Sequence, residues 1–154
     1  MLITSAEKLA DRAEKPASAS RSGSWCTHEK KHLIGQLKQC LGAQGEEHVA
    51  RHCVAKGYRV LARNWRAAHG EIDLIVQDGR TVVAVEVKTR SGVGLGSPFH
   101  AITPRKLQRL QSLLFQWMQV NGYAHYRARV DAAAVLMRPG QKIALEYLKA
   151  ATHG

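Results

Sequence analysis

Three charged residues in neighbouring parts of the sequence, Asp73, Glu86 and Lys88, have the types needed for metal-assisted hydrolysis. Two carboxylates that converge on a partly covered face repel one another and lose hydration, which raises the pKa of at least one unless a cation is present. Their hard oxygen atoms favour Mg²⁺ or Mn²⁺, which lowers the pKa of a bound water and stabilises charge on phosphorus. Lys88 would hold the attacking water or neutralise the developing charge. The residue types therefore predict phosphodiester hydrolysis at a metal held by Asp73 and Glu86.

A β-hairpin is expected to bring these residues together. Two β-branched runs flank Asp78-Gly79, a dipeptide typical of two-residue hairpin turns. With this turn, Asp73 lies opposite Ala84, and Glu86 is the diagonal neighbour of Asp73 at roughly 7 to 8 Å between backbones. Because side chains alternate along a strand, the three charged residues share one face. The opposite face would be apolar, with Ile72, Leu74, Val76, Val83, Val85 and Val87.

The rest of the sequence predicts a small α/β domain in the order α-β-β-β-α-β-β, with a mixed β-sheet flanked by helices. Apolar residues at helical spacing end at Lys56-Gly57, and a leucine-rich helix begins at Pro104. Both helices need a sheet face, so the acids would be partly buried; an amphipathic hairpin with a solvated polar face is the simpler alternative. The predicted elements are helix 42–56, strands 58–62, 71–77 and 81–88, helix 104–121, and strands 129–137 and 142–147.

Residues 1–41 are expected to form a mobile basic tail in front of a domain that spans 42–154. The tail is rich in Ser, Ala and Lys, a composition that buries too little apolar surface to offset chain entropy. The helical spacing of Leu33, Leu37 and Leu41 is compatible with one short helix within the tail. The start of the chain lacks the apolar region of a secretory signal, and no apolar run approaches the roughly 20 residues of a membrane span. A cytoplasmic protein without membrane contact is therefore expected.

The charge balance favours a polyanionic partner. The sequence has 23 Lys and Arg against 12 Asp and Glu, a formal net charge of +11. Solubility alone would be served equally well by acidic residues, so nucleic acid is favoured as partner. Trp65 lies among basic residues and could stack on an unpaired base or belong to the core. The candidate nucleic-acid-binding residues are Arg63, Arg66, Arg90, Arg105, Lys106 and Arg109.

Short motifs in a fixed order add a resemblance to a known family. They are Gly45-Glu46-Glu47, Gly57-Tyr58, Leu61-Ala62-Arg63-Asn64-Trp65-Arg66, Gly70-Glu71-Ile72-Asp73-Leu74-Ile75, Val85-Glu86-Val87-Lys88-Thr89-Arg90 and Arg129-Val130-Asp131. From residue 42 to about 148 the chain resembles the uncharacterised bacterial YraN (UPF0102-type) family. That family is similar to archaeal Holliday-junction resolvases and restriction endonucleases of the PD-(D/E)xK superfamily. The resemblance implies a restriction-endonuclease-like core, with Asp73, Glu86 and Lys88 at the metal site and Glu46 as a further acid.

Three functional hypotheses follow from the sequence. The first is a metal-dependent endonuclease that acts on structured or branched DNA, and a homodimer is expected in that case because cutting a branched substrate needs two sites. The second is a non-catalytic nucleic-acid-binding module that retains the nuclease fold. The third is a scaffold that dimerises through a sheet edge. Substitution of Asp73 separates the first two, since only a nuclease would lose cleavage.

Overall fold

The computed structural model describes residues 25–92 and 98–151. The chain divides into two compact units, Met1–Ile34 and Gly35–Gly154, and the second unit contains all of the strands. The predicted element order is confirmed. The elements are α1 Trp25–Ala55, β1 Arg59–Ala67, β2 Gly70–Asp78, β3 Thr81–Arg90, a 3₁₀ turn Pro98–Ala101, α2 Pro104–Val120, β4 Arg127–Leu136 and β5 Ala144–Leu148.

Helix α1 is longer than the sequence predicted. It begins at Trp25, so residues 29–41 belong to α1 and do not form a separate short helix. The remainder of the predicted tail, residues 1–24, lies outside the described residues, as do residues 93–97 of the glycine-rich loop. No helix in 25–92 or 98–151 is both long and apolar enough to cross a membrane.

The strands form one mixed five-stranded sheet in the order β1-β2-β3-β4-β5. Strands β3 and β4 pair in parallel, and every other neighbouring pair is antiparallel. A parallel pair needs a long crossover connection, and α2 provides it between β3 and β4. The mixed sheet with helices on its faces is the predicted fold class.

The hairpin between β2 and β3 turns one residue later than predicted. Asp78 pairs with Thr81, so the two turn residues are Gly79 and Arg80. Gly79 has φ +58°, and glycine adopts this left-handed conformation at the start of such a turn without strain. The predicted pairing of Asp73 with Ala84 is therefore wrong. The register moves by two positions, which leaves the face of each side chain unchanged because the side-chain period of a strand is two.

Two apolar clusters cover the two faces of the sheet. On one face, Val49, Ala50 and Cys53 of α1 pack against the central strands, and on the other α2 contributes a leucine and tryptophan stripe. The prediction that both faces are covered is thereby confirmed. The first cluster includes Leu74, Val76, Val83, Val85 and Val87, and the second includes Ile75, Val82, Ala84, Leu110, Leu113, Leu114, Trp117 and Met118.

Ile72 is an exception to the predicted distribution of side chains. The sequence placed it with Leu74 on the α1 face, but it packs in the cluster beneath α2 together with Ile75. The alternation of side chains between the two sheet faces is interrupted between Ile72 and Leu74, next to Asp73. On the neighbouring strand, Asn64 has φ 47° between the paired residues on either side of it. The sheet is therefore irregular at the position of the candidate acid.

Candidate functional site

Asp73 lies on β2 where the ladder with β3 ends. Its Oδ2 accepts a hydrogen bond of 2.8 Å from the backbone N–H of Val87. In a regular sheet, a backbone N–H donates to a backbone carbonyl of the neighbouring strand instead. Burial raises the pKa of Asp73 from its usual 3.8 to about 6, and the neighbouring charges of Glu86 and Glu46 add to the effect. The Val87 bond and the positive charge of Lys106 oppose it.

Glu86 lies on β3 and is buried, with 6% of its surface exposed. Its carboxylate forms an ion pair with the ammonium group of Lys106, a residue in the first turn of α2. The start of α2 is fixed by Thr103, whose hydroxyl accepts a hydrogen bond of 3.2 Å from the Lys106 backbone N–H, and by Pro104 in the first turn. The helix cap thus fixes the backbone of the residue that neutralises Glu86.

Glu46 and Lys88 complete the group predicted from the sequence. Glu46 comes from α1 and is close enough to raise the pKa of Asp73. Lys88 lies two residues after Glu86 on β3, which places both side chains on one face. Glu46 and Lys88 also line the same cleft, which has a volume of about 650 Å³. The fold therefore places Glu86 and Lys106 in contact, with Asp73 near Glu86 and Glu46, and Lys88 beside Glu46 in the cleft.

The donor set fits a hard divalent ion held by few protein ligands. In the described part of the chain, His, Cys, Asp and Glu residues do not come together in a group of three that could hold a metal. Mg²⁺ is commonly bound by one or two carboxylates, with waters and substrate phosphates completing its shell. Asp73 and Glu86 are the two carboxylates closest to that requirement, and Glu46 is the additional acid beside them.

Two of the predicted nucleic-acid-binding residues are neutralised by acids of the chain itself. Arg63 pairs with Glu47, and Arg66 pairs with Glu71 at 3.2 Å. Lys106, also predicted to contact nucleic acid, pairs with Glu86 at the acid site. These ion pairs leave less charge for a phosphate than the sequence alone indicated.

The other three predicted residues remain available. Arg90, Arg105 and Arg109 form no salt bridge with any residue that the structure describes. Arg90 lines the cleft with Glu46 and Lys88, whereas Arg105 and Arg109 lie exposed on the first turns of α2. The unpaired cations therefore lie on both sides of the acids.

Asp131, which belongs to the last of the sequence motifs, forms hydrogen bonds that stabilise the fold. It is fully buried, and its two oxygens accept hydrogen bonds of 2.8 to 2.9 Å from Arg129, Tyr147 and the backbone N–H of Ala150. The same contacts hold the pKa of Arg129 above its usual value. Asp131 thus fixes β4 to β5 and to the end of the described chain.

Two residues of the site were not identified as such from the sequence. Lys106 was expected to bind phosphate at the start of the helix that Pro104 opens, and its contact with Glu86 was not predicted. Lys38, which lines the cleft beside Glu46, fell within the segment interpreted as a tail. Neither position could be related to the acids before α1 and α2 were placed on the sheet.

Comparisons with known proteins agree with the resemblance seen in the motifs. The model of the uncharacterised protein family UPF0102 matches residues 45–135. A UPF0102 protein of Nocardia farcinica is 44% identical over 113 residues, which cover 73% of this chain and 89% of the relative. One from Acidothermus cellulolyticus is 38% identical over 124 residues, 74% of this chain and 94% of the relative. Among solved structures, Archaeoglobus fulgidus Hjc, a Holliday junction resolvase from an archaeal hyperthermophile, matches 71% of this chain and 77% of its own, with a TM-score of 0.40 and 17% identity.

Proposed function

The chain belongs to the uncharacterised protein family UPF0102, and we propose that it is a metal-dependent nuclease that hydrolyses phosphodiester bonds in nucleic acid. The observation that carries this proposal is the position of the Asp73 carboxylate, which accepts a hydrogen bond from the Val87 N–H beside the buried Glu86, so that two acids share one partly buried site. Burial and the charge of Glu86 raise the pKa of Asp73 to about 6. Perturbed carboxylates of this kind concentrate at functional sites because catalysis needs pKa values matched to its chemistry. Charge repulsion of this kind is relieved when the site binds a cation.

A comparison between two aspartates of the same sheet supports a functional role for Asp73. Asp131 is also buried, but Arg129, Tyr147 and Ala150 supply it with donors to both oxygens. Asp73 receives one hydrogen bond from the described residues and has two acids as neighbours. Buried charges that stabilise a fold are paired and hydrogen-bonded, as Asp131 is, and Asp73 departs from that pattern.

The proposed metal ligands are Asp73 and Glu86, with Glu46 as a further acid. When bound there, Mg²⁺ or Mn²⁺ would supply an activated water and neutralise charge on the phosphate. Lys88 has no acid partner among the described residues. Its ammonium is therefore free to donate to the attacking water or to a phosphate oxygen. Lys106 supports the same role by neutralising part of the acid charge that would repel a polyanion.

The proposed substrate is DNA, structured or branched, and the proposed location is the cytoplasm. The net charge of +11 and the unpaired Arg90, Arg105 and Arg109 support a polyanionic partner. A homodimer is proposed for the cutting of branched DNA, since a symmetric cut needs two sites. Sedimentation of the DNA complex tests this part, and a monomer bound to a four-way junction would contradict it.

The decisive experiment is cleavage of labelled duplex, single-stranded and four-way-junction DNA with Mg²⁺ or Mn²⁺. Asp73→Asn and Glu86→Gln are expected to abolish cutting. Glu71→Gln is the matched control because Glu71 is an exposed acid on the same strand, paired with Arg66 at the surface. Cutting that persists in Asp73→Asn, or a wild type that cuts none of the substrates with either metal, would refute the proposal.

A second function, binding without catalysis, is favoured by one observation. Lys106 already neutralises Glu86, so the chain supplies its own cation at the acid site. A binding module would hold DNA with the same affinity in EDTA and in Mg²⁺, and Asp73→Asn would leave that affinity unchanged. Isothermal titration with Mg²⁺ separates the two functions, because only the nuclease is expected to bind the ion through Asp73.

A further inference from the structure

The cleft beside the acids extends beyond the segment that the family model matches. One wall comes from α1 and contains Lys38, Leu41 and Glu46, and the other comes from residues 87–92 at the end of β3. The family match begins at residue 45. Part of this wall, including Lys38, is therefore contributed by a portion of α1 that precedes the matched segment.

Close packing of α1 on β3 holds this wall in position. A Cβ atom built on Gly45 would lie 1.8 Å from Thr89 Oγ1, so the Thr89 side chain packs directly against the glycine of the helix. Lys38 precedes Gly45 by seven residues, and Leu41 and Gly42 lie between them at helical spacing. Residues at this spacing occupy one face of a helix. Lys38 thus lies on the α1 face directed at the cleft, about 10 Å along the axis from Gly45.

The cations of this cleft are not neutralised by the chain. Lys38, Lys88 and Arg90 form no salt bridge within the described ranges. On the outer side of α1 and on β1 the arrangement differs, since Arg51 and Arg63 both pair with Glu47. These three cations outnumber Glu46, which lines the same cleft, and the resulting positive potential favours an anionic ligand.

We propose that this cleft binds the phosphodiester backbone of the substrate strand next to the cleavage position, with Lys38 and Arg90 as its phosphate contacts. This proposal rests on the proposed function, because Glu46 lines the cleft and also lies near Asp73. The cleft, with a volume of about 650 Å³, is open to solvent, which suits a ligand that continues in both directions. Lys38 extends the strand contact from Lys88 along α1, away from the acids.

The test is the salt dependence of binding, measured by fluorescence anisotropy with a labelled single-stranded oligonucleotide. All proteins are full-length and carry Asp73→Asn so that the strand stays intact. Removing one phosphate contact on a single strand lowers the slope of log K against log salt by about 0.7. Lys38→Gln and Arg90→Gln are each expected to give this change. Lys56→Gln is the control, since Lys56 is an exposed lysine just beyond the other end of α1. It is expected to keep the slope of the Asp73→Asn protein.

Equal slopes for Lys38→Gln and Lys56→Gln would overturn the proposal. Two slopes that fall equally would show a general effect of charge, and two unchanged slopes would show that Lys38 makes no phosphate contact. A calorimetric titration with inorganic phosphate forms the second arm. Binding of phosphate alone that is lost in Lys38→Gln would assign a free-anion site and would also overturn the strand assignment. These outcomes do not depend on catalysis. If the wild type cuts no DNA but Lys38→Gln still lowers the salt slope, only the proposed nuclease activity would be refuted.

Discussion

Replacement of Asp73 by Asn is expected to stabilise the protein at neutral pH while removing its activity. Burial and the charges of Glu86 and Glu46 disfavour the ionised carboxyl, which raises its pKa from 3.8 to about 6. The amide of Asn carries no charge, and its oxygen can still accept the hydrogen bond from the Val87 N–H. The substitution therefore removes the repulsion and keeps the local contact.

The size and pH range of the effect follow from the two pKa values of Asp73. Because the folded state binds the proton more tightly than the unfolded state, wild-type stability falls as the pH rises from about 4 to about 6. A difference of about two pH units at 1.36 kcal/mol each corresponds to about 3 kcal/mol. This is an upper limit, since Asp73 is only partly buried and solvent screens its charge. Asp73→Asn is expected to gain up to this amount at pH 7.5 and almost nothing at pH 4.

Urea denaturation in EDTA at these two pH values measures the gain. Glu71→Gln serves as the control, and its stability is expected to stay within about 0.5 kcal/mol of the wild type because its ion pair with Arg66 is exposed. Added Mg²⁺ is expected to raise the midpoint of the wild type and to leave that of Asp73→Asn unchanged. The reasoning would be refuted if Asp73→Asn were less stable than the wild type at pH 7.5. It would also be refuted if the gain in unfolding free energy were as large at pH 4 as at pH 7.5.

Three further predictions concern the contacts around the site. Lys106→Met leaves Glu86 buried without its cation and is expected to reduce the unfolding free energy by up to about 3 kcal/mol in EDTA; a full loss in the double variant with Glu86→Gln would argue against this cause. Gly45→Ala forces a Cβ onto Thr89 and is expected to lower stability by about 1–3 kcal/mol, with partial recovery when Thr89→Ala is added, as measured by thermal melting. Asp131→Asn is expected to lose roughly 3 kcal/mol or more and to keep Mg²⁺ affinity in its folded fraction, and calorimetry showing weakened affinity there would place Asp131 at the metal site.

The faces of the hairpin residues other than Ile72 could be predicted from sequence, but the register could not. Two adjacent turns, one at Asp78-Gly79 and one at Gly79-Arg80, are compatible with the glycine, and they differ by two positions in pairing. A change of two preserves the face, so the shared face of Asp73 and Glu86 did not depend on the choice. The position of Ile72 could not be predicted in the same way, because the interruption beside Asp73 depends on the neighbouring strand.

The partners of the acids could not be predicted because they come from helices on separate parts of the chain. The leucine stripe of α2 indicated that it covers a sheet face, and this packing is observed. The orientation of the helix on that face, which decides whether Lys106 or Arg105 reaches Glu86, depends on side-chain packing that a periodicity does not specify. Lys38 was missed for a related reason. The composition before residue 42 favours a tail, and only the extension of α1 to Trp25 gives Lys38 a defined place.

The arrangement of charge explains how an acidic site could admit a polyanion. Glu46, Asp73 and Glu86 would repel a phosphate, but Lys106 neutralises Glu86, and Lys88 lines the same cleft as Glu46. Unpaired cations then continue on both sides, with Arg90 and Lys38 in the cleft and Arg105 and Arg109 on α2. Interactions between charges weaken with distance and with salt, so the nearest lysines determine whether a strand can reach the acids, and the outer cations determine how strongly it is held. Substitutions of Lys88 or Lys106 should therefore act mainly on catalysis and metal affinity, whereas substitutions of Lys38 or Arg90 should act on the salt dependence of binding.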